Sequence, residues 1–314
     1  NAILSSNEIN DIGEKTAVGL ATGGSGYSLH YTNNESQINL EANTSVNVDR
    51  TDKGGTGSVG LFTNYGQINV DLGAEINVEK ENNFVNDMSV GIYAVNGSEV
   101  KNNGTVNVGG NKSIGILGMP YRIDTNANAI STDGFGHGRT RIYNESTGLI
   151  KLDGEESVGM FMYNNSTSYI GTTSNNLGTI EMSGNKAIGM LVKAPEVNSS
   201  TYNYGTININ SDQEGIGMVA SGEAFARNDA TGLINLKSSS SKYKPNIGMF
   251  TNDKNSSLAN YGNIIGGDNT YGMYGNHIDH RDNKIKLGNN SVGIFSSTKD
   301  DYTYFDSADG EIEV

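Results

Sequence analysis

The chain lacks cysteine and tryptophan altogether and holds only 3 prolines and 4 histidines in 314 residues. Without cysteine there is neither a disulfide framework nor a thiolate metal site. Basic residues are scarce as well: 21 Lys and Arg stand against 35 Asp and Glu, a formal net charge of −14. That balance argues against a nucleic-acid partner, which needs a basic stripe, and against docking on anionic lipid. No segment approaches the roughly 18–20 apolar residues of a membrane-spanning helix, and no signal peptide opens the chain. Helical 3.6-residue periodicity is missing throughout, which leaves β-structure as the only regular option.

What the chain does have is a repeat. A small or polar residue, a branched apolar residue, glycine, an aliphatic residue and an apolar one recur ten times. Copies include Ser58-Val59-Gly60-Leu61-Phe62, Ser113-Ile114-Gly115-Ile116-Leu117, Ser157-Val158-Gly159-Met160-Phe161, Ala187-Ile188-Gly189-Met190-Leu191 and Ser291-Val292-Gly293-Ile294-Phe295. Ahead of most copies lies a turn with Asn and Gly followed by an alternating strand, as in Asn102-Asn103-Gly104-Thr105-Val106-Asn107-Val108 and Asn203-Tyr204-Gly205-Thr206-Ile207-Asn208-Ile209. Period-2 alternation bounded by Gly and Asn marks a short half-buried strand. The repeating unit is therefore strand, tight turn, strand, and a variable return with room for a third short strand.

Successive pattern glycines lie between 21 residues apart (Gly272 to Gly293) and 44 apart (Gly115 to Gly159). Such uneven spacing disfavours a propeller, whose blades must each be complete, and suits a solenoid whose coils tolerate insertions. The expected fold is an all-β, parallel, right-handed β-helix with loop insertions. Ten coils at about 4.8 Å each would span about 50 Å. Val158 and Ile188 are expected to face its narrow core. The strand glycine has two open explanations, close packing against an aromatic ring of the next coil or a bend between sheets. Tyr65, Tyr204 and Tyr261 are expected to stack, and turn asparagines to hydrogen-bond from coil to coil.

As to extent, residues 1–314 read as a single β-helix fragment of a longer chain, with irregular coils over 1–80 and regular ones over 81–314. The terminal Glu311-Ile312-Glu313-Val314 looks like the opening strand of a further coil.

Chemistry is sparse. No motif for phosphate cradling, nucleophilic catalysis, zinc or any cofactor is present, and the calcium nonapeptide of β-rolls is absent. Asp153, Glu155 and Glu156 share one turn, and Asp300 adjoins Asp301. Polysaccharide-cleaving β-helices place carboxylates on an exposed sheet rather than in turns, so these read as solvated corners. His277, Asp279 and His280 have the spacing of a weak metal site, but a polar loop is the preferred reading and no metal site is expected.

The insertion from about Gly118 to Arg141 stands out more. It concentrates Tyr121, Arg122, Phe135, His137, Arg139 and Arg141 in an acidic chain, and loops carried by a rigid scaffold are the usual sites of recognition. Smaller loops are expected at 192–202, 220–231 and 275–283, emerging from the same side.

The recurring Asn-x-Gly-Thr-Ile-Asn-Val followed by Ser-Val-Gly-Ile-Phe resembles the passenger-domain repeats of large type V autotransporter adhesins, and is most similar to the fusobacterial ones. The resemblance covers nearly the whole chain and is clearest over 85–295. It implies display on the bacterial outer membrane through a C-terminal β-barrel lying outside this sequence. It also implies attachment, without catalysis, to a surface protein or glycan of another bacterium or a host cell. No binding residue carries over from it. On this reading the segment is a monomeric adhesin; the alternatives are a glycan-cleaving lyase or hydrolase, and a stalk for a distal tip.

Overall fold

The computed structural model describes residues 2–5, 18–23, 37–49, 58–64, 66–78, 89–120, 140–164, 172–296 and 310–314. Each coil contains three strands, as in Glu75–Val78, Val90–Val95 and Glu99–Asn102. Equivalent strands of successive coils pair in parallel, so the molecule is a parallel β-helix. Sheet 1 stacks 11 strands, from Ala2–Ser5 to Glu311–Glu313. Sheet 2 runs from Val18–Gly23 to Val292–Ser296, and sheet 3 from Gln37–Leu40 to His277–His280. These two stacks merge where Ile188–Asn203 and Ile216–Asn228 pass from one into the other without a break.

Sheet 1 follows the sequence alternation directly. In Thr206–Ile209 the two isoleucines are fully buried, and they lie in register with Ile180 and Met182 on one side and Ile234 and Leu236 on the other. Burying each such side chain contributes about 1.5–3 kcal/mol, and stacking makes the contribution continuous along the axis. Before residue 80, Gln37–Leu40 pairs with Gln67–Val70 in sheet 3, and Ser45–Asp49 with Glu75–Val78 in sheet 1.

Sheet 2 corrects the expected register. Val158 and Ile188 are only half-buried, while Met160 and Met190, two positions later, are fully buried. The strand bends at the glycine: Val158 pairs with Ile188 and Met160 with Met190, and Gly159 is skipped in the ladder. A Cβ on Gly159 would meet the carbonyl oxygen of Gly189 at 2.6 Å and Ile180 Cγ2 at 3.3 Å. Close approach and bend thus act together, and the neighbour is a carbonyl and an aliphatic methyl rather than an aromatic ring. Outside the same strands, aromatic side chains stack from coil to coil, with Tyr274 centroids 5.3 Å from Phe250 and 5.0 Å from Phe295.

Sheet 3 replaces three of the expected loops. Residues 192–202 and 220–231 lie largely within the long strands, and 275–283 contains the strand His277–His280. These segments escaped the hydrophobic pattern because many of their inward positions are polar or small, such as Ser199, Thr201, Ala224, Ala226 and Asn228. Ser174 and Thr201 bond across 2.7 Å inside the coil. Asn102, Asn144, Asn176, Asn203, Asn228 and Asn260 form a buried ladder in which each amide donates to the next side-chain oxygen at 2.8 Å. His280 occupies the next rung, with Nδ1 3.1 Å from Asn260 Nδ2. Half-buried strand positions carry a second asparagine series, for example Asn107 Nδ2 to Asn77 Oδ1 at 2.7 Å.

Candidate functional site

In a sheet 3 strand the residue before the inward asparagine points out, and the residue after it begins the corner. Aligned on Asn203, Asn228, Asn260 and His280, the preceding residues are Tyr202, Arg227, Ala259 and Asp279. The following residues are Tyr204, Asp229, Tyr261 and Arg281. The fold therefore sets four aromatic rings, two arginines and two aspartates on one outer surface, counting Phe225 from the same strand as Arg227.

Arg227 organises this surface. Its Cζ lies 4.9 Å from the centre of the Tyr202 ring and 5.5 Å from that of Tyr261, and its guanidinium pairs with Asp229. Guanidinium over an aromatic face is an attractive arrangement, worth about 0.5–1 kcal/mol at exposed sites and more where desolvated. Tyr202 stacks on Tyr204 at 6.2 Å and meets the edge of Phe225 at 6.1 Å. Arg281 reaches the Tyr261 ring from the next coil at 5.6 Å and donates from Nε to Asp279 Oδ1 at 2.8 Å. The Tyr261 hydroxyl donates to Asp279 Oδ2 at 3.1 Å. Burial, and then that hydrogen bond and the aspartate charge, push the Tyr261 hydroxyl above its ordinary value.

The surface is accessible without being loose. Arg281 is 40% exposed and Arg227 29%, whereas Asp279 and Asp229 are 22% and 19% exposed. The arginines and carboxylates balance to zero net charge. Farther along the same face, Arg141 sits on the strand Arg141–Asn144, exposed and 4.0 Å from Glu99. Tyr143 follows it on the outer side of the same strand.

Of the six residues expected to bind, Arg141 alone is described. It stands in register with Glu99 and Thr173, three strands from the one carrying Arg227. Tyr121, Arg122, Phe135, His137 and Arg139 lie outside the described residues, as do Tyr65, Asp300 and Asp301. The sequence signal that locates Tyr202, Arg227 and Tyr261 is their shared position beside an inward asparagine.

The three residues with metal-site spacing do not converge. His277 and Asp279 face outward, whereas His280 turns into the core as the terminal rung of the ladder. Among the described residues no group of three His, Cys, Asp or Glu side chains is placed to hold a metal ion. The acidic corner is exposed and engaged with cations: Lys186 Nζ is 3.1 Å from Glu156 and 3.9 Å from Glu155, and Lys112 is 3.9 Å from Glu156.

Residues 125–262 are similar to a protein family described as the BigA third pectate lyase-like domain. That span includes Tyr202, Arg227 and Tyr261 and stops short of Asp279 and Arg281. No curated protein and no solved structure matches the chain.

Proposed function

We propose that this chain is a non-enzymatic adhesive segment of a bacterial cell-surface protein, a rigid β-helix that attaches one cell to another or to a host. Its anchor, on this reading, is an outer-membrane β-barrel outside the sequence given, and its partner is a surface protein or glycan. The observation that carries the reading is the outer face of sheet 3. In a chain with net charge −14, two arginines and four aromatic rings occupy adjacent coils of one sheet. Arginine and tyrosine are the residues enriched at binding hot spots, and a solenoid presents them on a preformed surface with little ordering cost. The repeat's resemblance to autotransporter passengers and the match to the pectate lyase-like family support the same assignment.

A second reading, glycan cleavage, is favoured by the name of the matching family. Acid–base cleavage needs one carboxyl group able to donate a proton and another free to act as base. Here Asp279 is held by Arg281 and Tyr261, and Asp229 by Arg227. Both fit a scaffolding role better than a catalytic one.

Incubating the purified 314-residue chain with target cells and with acidic and neutral polysaccharides separates the possibilities. Attachment without product release is the expected result. Release of shortened or unsaturated oligosaccharides identifies an enzyme, and neither attachment nor cleavage identifies a stalk.

A further inference from the structure

We propose that the outer face of sheet 3 between Tyr202 and Arg281 is a binding site for neutral oligosaccharides. The inference rests on the adhesin reading and adds the chemical class of the partner.

The first argument is charge. Arg227 pairs with Asp229 and Arg281 with Asp279, so the face offers an anion no net positive charge. An acidic sugar, a phosphate or an acidic peptide would bring further negative charge beside these carboxylates, in a chain whose net charge is −14. A cationic partner meets two guanidinium groups. A neutral polyol has neither problem.

The second argument is hydrogen-bonding capacity. A guanidinium offers five N–H donors and a carboxylate about four acceptor positions. Asp279 takes one donor from Arg281 and one from Tyr261. Donor and acceptor groups therefore stand side by side, and the hydroxyls of a sugar are donors and acceptors at once. Carboxylate–guanidinium pairs hold each other rigid, so a sugar would meet them already oriented.

The third argument is shape. Tyr202 and Tyr204 lie nearly parallel, 25° apart, and put apolar ring surface on the face. The C–H face of a pyranose packs on such surface, while its rim of hydroxyls reaches the charged groups beside it. Neighbouring strands are about 4.8 Å apart, close to the length of one sugar ring. A short oligosaccharide lying along the axis would meet Tyr202, Arg227 and the Tyr261–Asp279 pair in succession.

The test is retention of the full chain on immobilised galactose-, glucose- and mannose-terminated oligosaccharides, with sialylated and sulfated counterparts alongside. Retention on a neutral glycan and not on its anionic counterpart is expected. Tyr204→Ala and Arg281→Ala should each weaken it about tenfold or more without lowering the melting temperature. Tyr261→Phe, which keeps the ring, should have a smaller effect. Retention on anionic glycans alone, on no glycan, or on neutral glycans equally by all three variants overturns the site. Periodate treatment of target cells separates this failure from that of the parent reading. Attachment that survives periodate but not protease defeats the sugar assignment and leaves an adhesin, whereas no attachment to untreated cells defeats the adhesin itself.

Discussion

Asn203 donates its side-chain amide to Asn228 Oδ1 at 2.8 Å, and both side chains are fully buried. The same amide also reaches the Gly205 carbonyl at 3.2 Å. Each rung thus ties two coils together and adds a second donor at the corner, where the Gly205 carbonyl also accepts from the Leu233 N–H at 2.9 Å. Asn203→Ala would take from Asn228 Oδ1 its Asn203 donor and leave the Asn176 amide only the Thr206 carbonyl at 3.4 Å, while the Gly205 carbonyl keeps the Leu233 N–H at 2.9 Å. At about 1–3 kcal/mol for each buried unsatisfied group, softened by local relaxation, the expected loss is about 2–4 kcal/mol in urea denaturation. Asn69→Ala breaks an exposed bond of equal length to Asn39 and should cost under about 0.5 kcal/mol. Equal losses would mean that burial does not set the value of these bonds.

How far the sequence discloses the fold depends on what faces inward. Sheet 1 is legible because Ile207 and Ile209 alternate with Thr206 and Asn208 in an unbroken period of two. In sheet 2 the period slips at Gly159, so Val158, which an unbroken period of two would bury together with Met160, stays half-buried while Met160 is fully buried. Sheet 3 is the hardest. Thr201 and Asn203 fill inward positions by hydrogen bonding to neighbouring coils, leaving no hydrophobic alternation to detect. The candidate site suffers the same fate. Tyr202, Arg227 and Tyr261 become neighbours only when the strands are aligned on their asparagines, and that alignment requires knowing that the asparagines point in.

The bend at Gly159 predicts an ordered pair of effects. Met160→Asp puts an unpaired carboxylate into the narrow core and should destabilise by roughly 3–5 kcal/mol. Val158→Asp, at a half-buried outer position, should cost about 1 kcal/mol. Gly159→Ala should fall between them at about 1–3 kcal/mol, because the obstacle is the backbone carbonyl of Gly189 rather than a flexible side chain. Thermal unfolding of the three variants checks the order, and a Val158→Asp protein less stable than Met160→Asp would refute the register.

Acid should loosen the last strand first. Lys284 Nζ lies 2.5 Å from Glu311 and Lys286 Nζ 2.9 Å from Glu313, so two ion pairs clasp Glu311–Glu313 to the sheet. The hydrogen bond and charge of Lys284 lower the Glu311 carboxyl below its usual value. A depressed carboxylate stabilises fully above its unfolded value, about 4.3, and loses that contribution as pH falls through the folded one. Amide protection factors over 311–313, taken relative to the unfolded-chain rate at each pH, should therefore fall under acid well before those of the sheet 1 centre near Ile207. Both groups are exposed, so added salt should weaken the clasp as well. Protection unchanged at low pH and high salt would mean that backbone pairing alone holds the strand.

The long insertion is the part of the chain whose removal the coil geometry makes simplest to test. The chain leaves sheet 2 at Met119 and enters sheet 3 through Thr140, whose hydroxyl donates to the Met119 carbonyl at 2.6 Å. One coil earlier, the equivalent residues Val95 and Ser98 are joined by Asn96 and Gly97 alone. Both adopt left-handed backbone, with φ of 57° and 82°, a conformation those residue types accept readily. Replacing 120–139 with Asn-Gly should therefore reproduce a turn the protein already uses. The flanking strands keep their partners, Val90–Val95 before and Val158–Tyr163 after, so the melting temperature should stay within a few degrees of the parent. Retention on neutral glycans should persist, because Tyr202, Arg227 and Tyr261 lie on later coils. Cell attachment lost by this trimmed chain and kept by Tyr204→Ala would belong to the insertion, with its Arg122 and Arg139. Loss of glycan retention in a trimmed chain that stays folded would show that the sheet 3 face does not bind on its own.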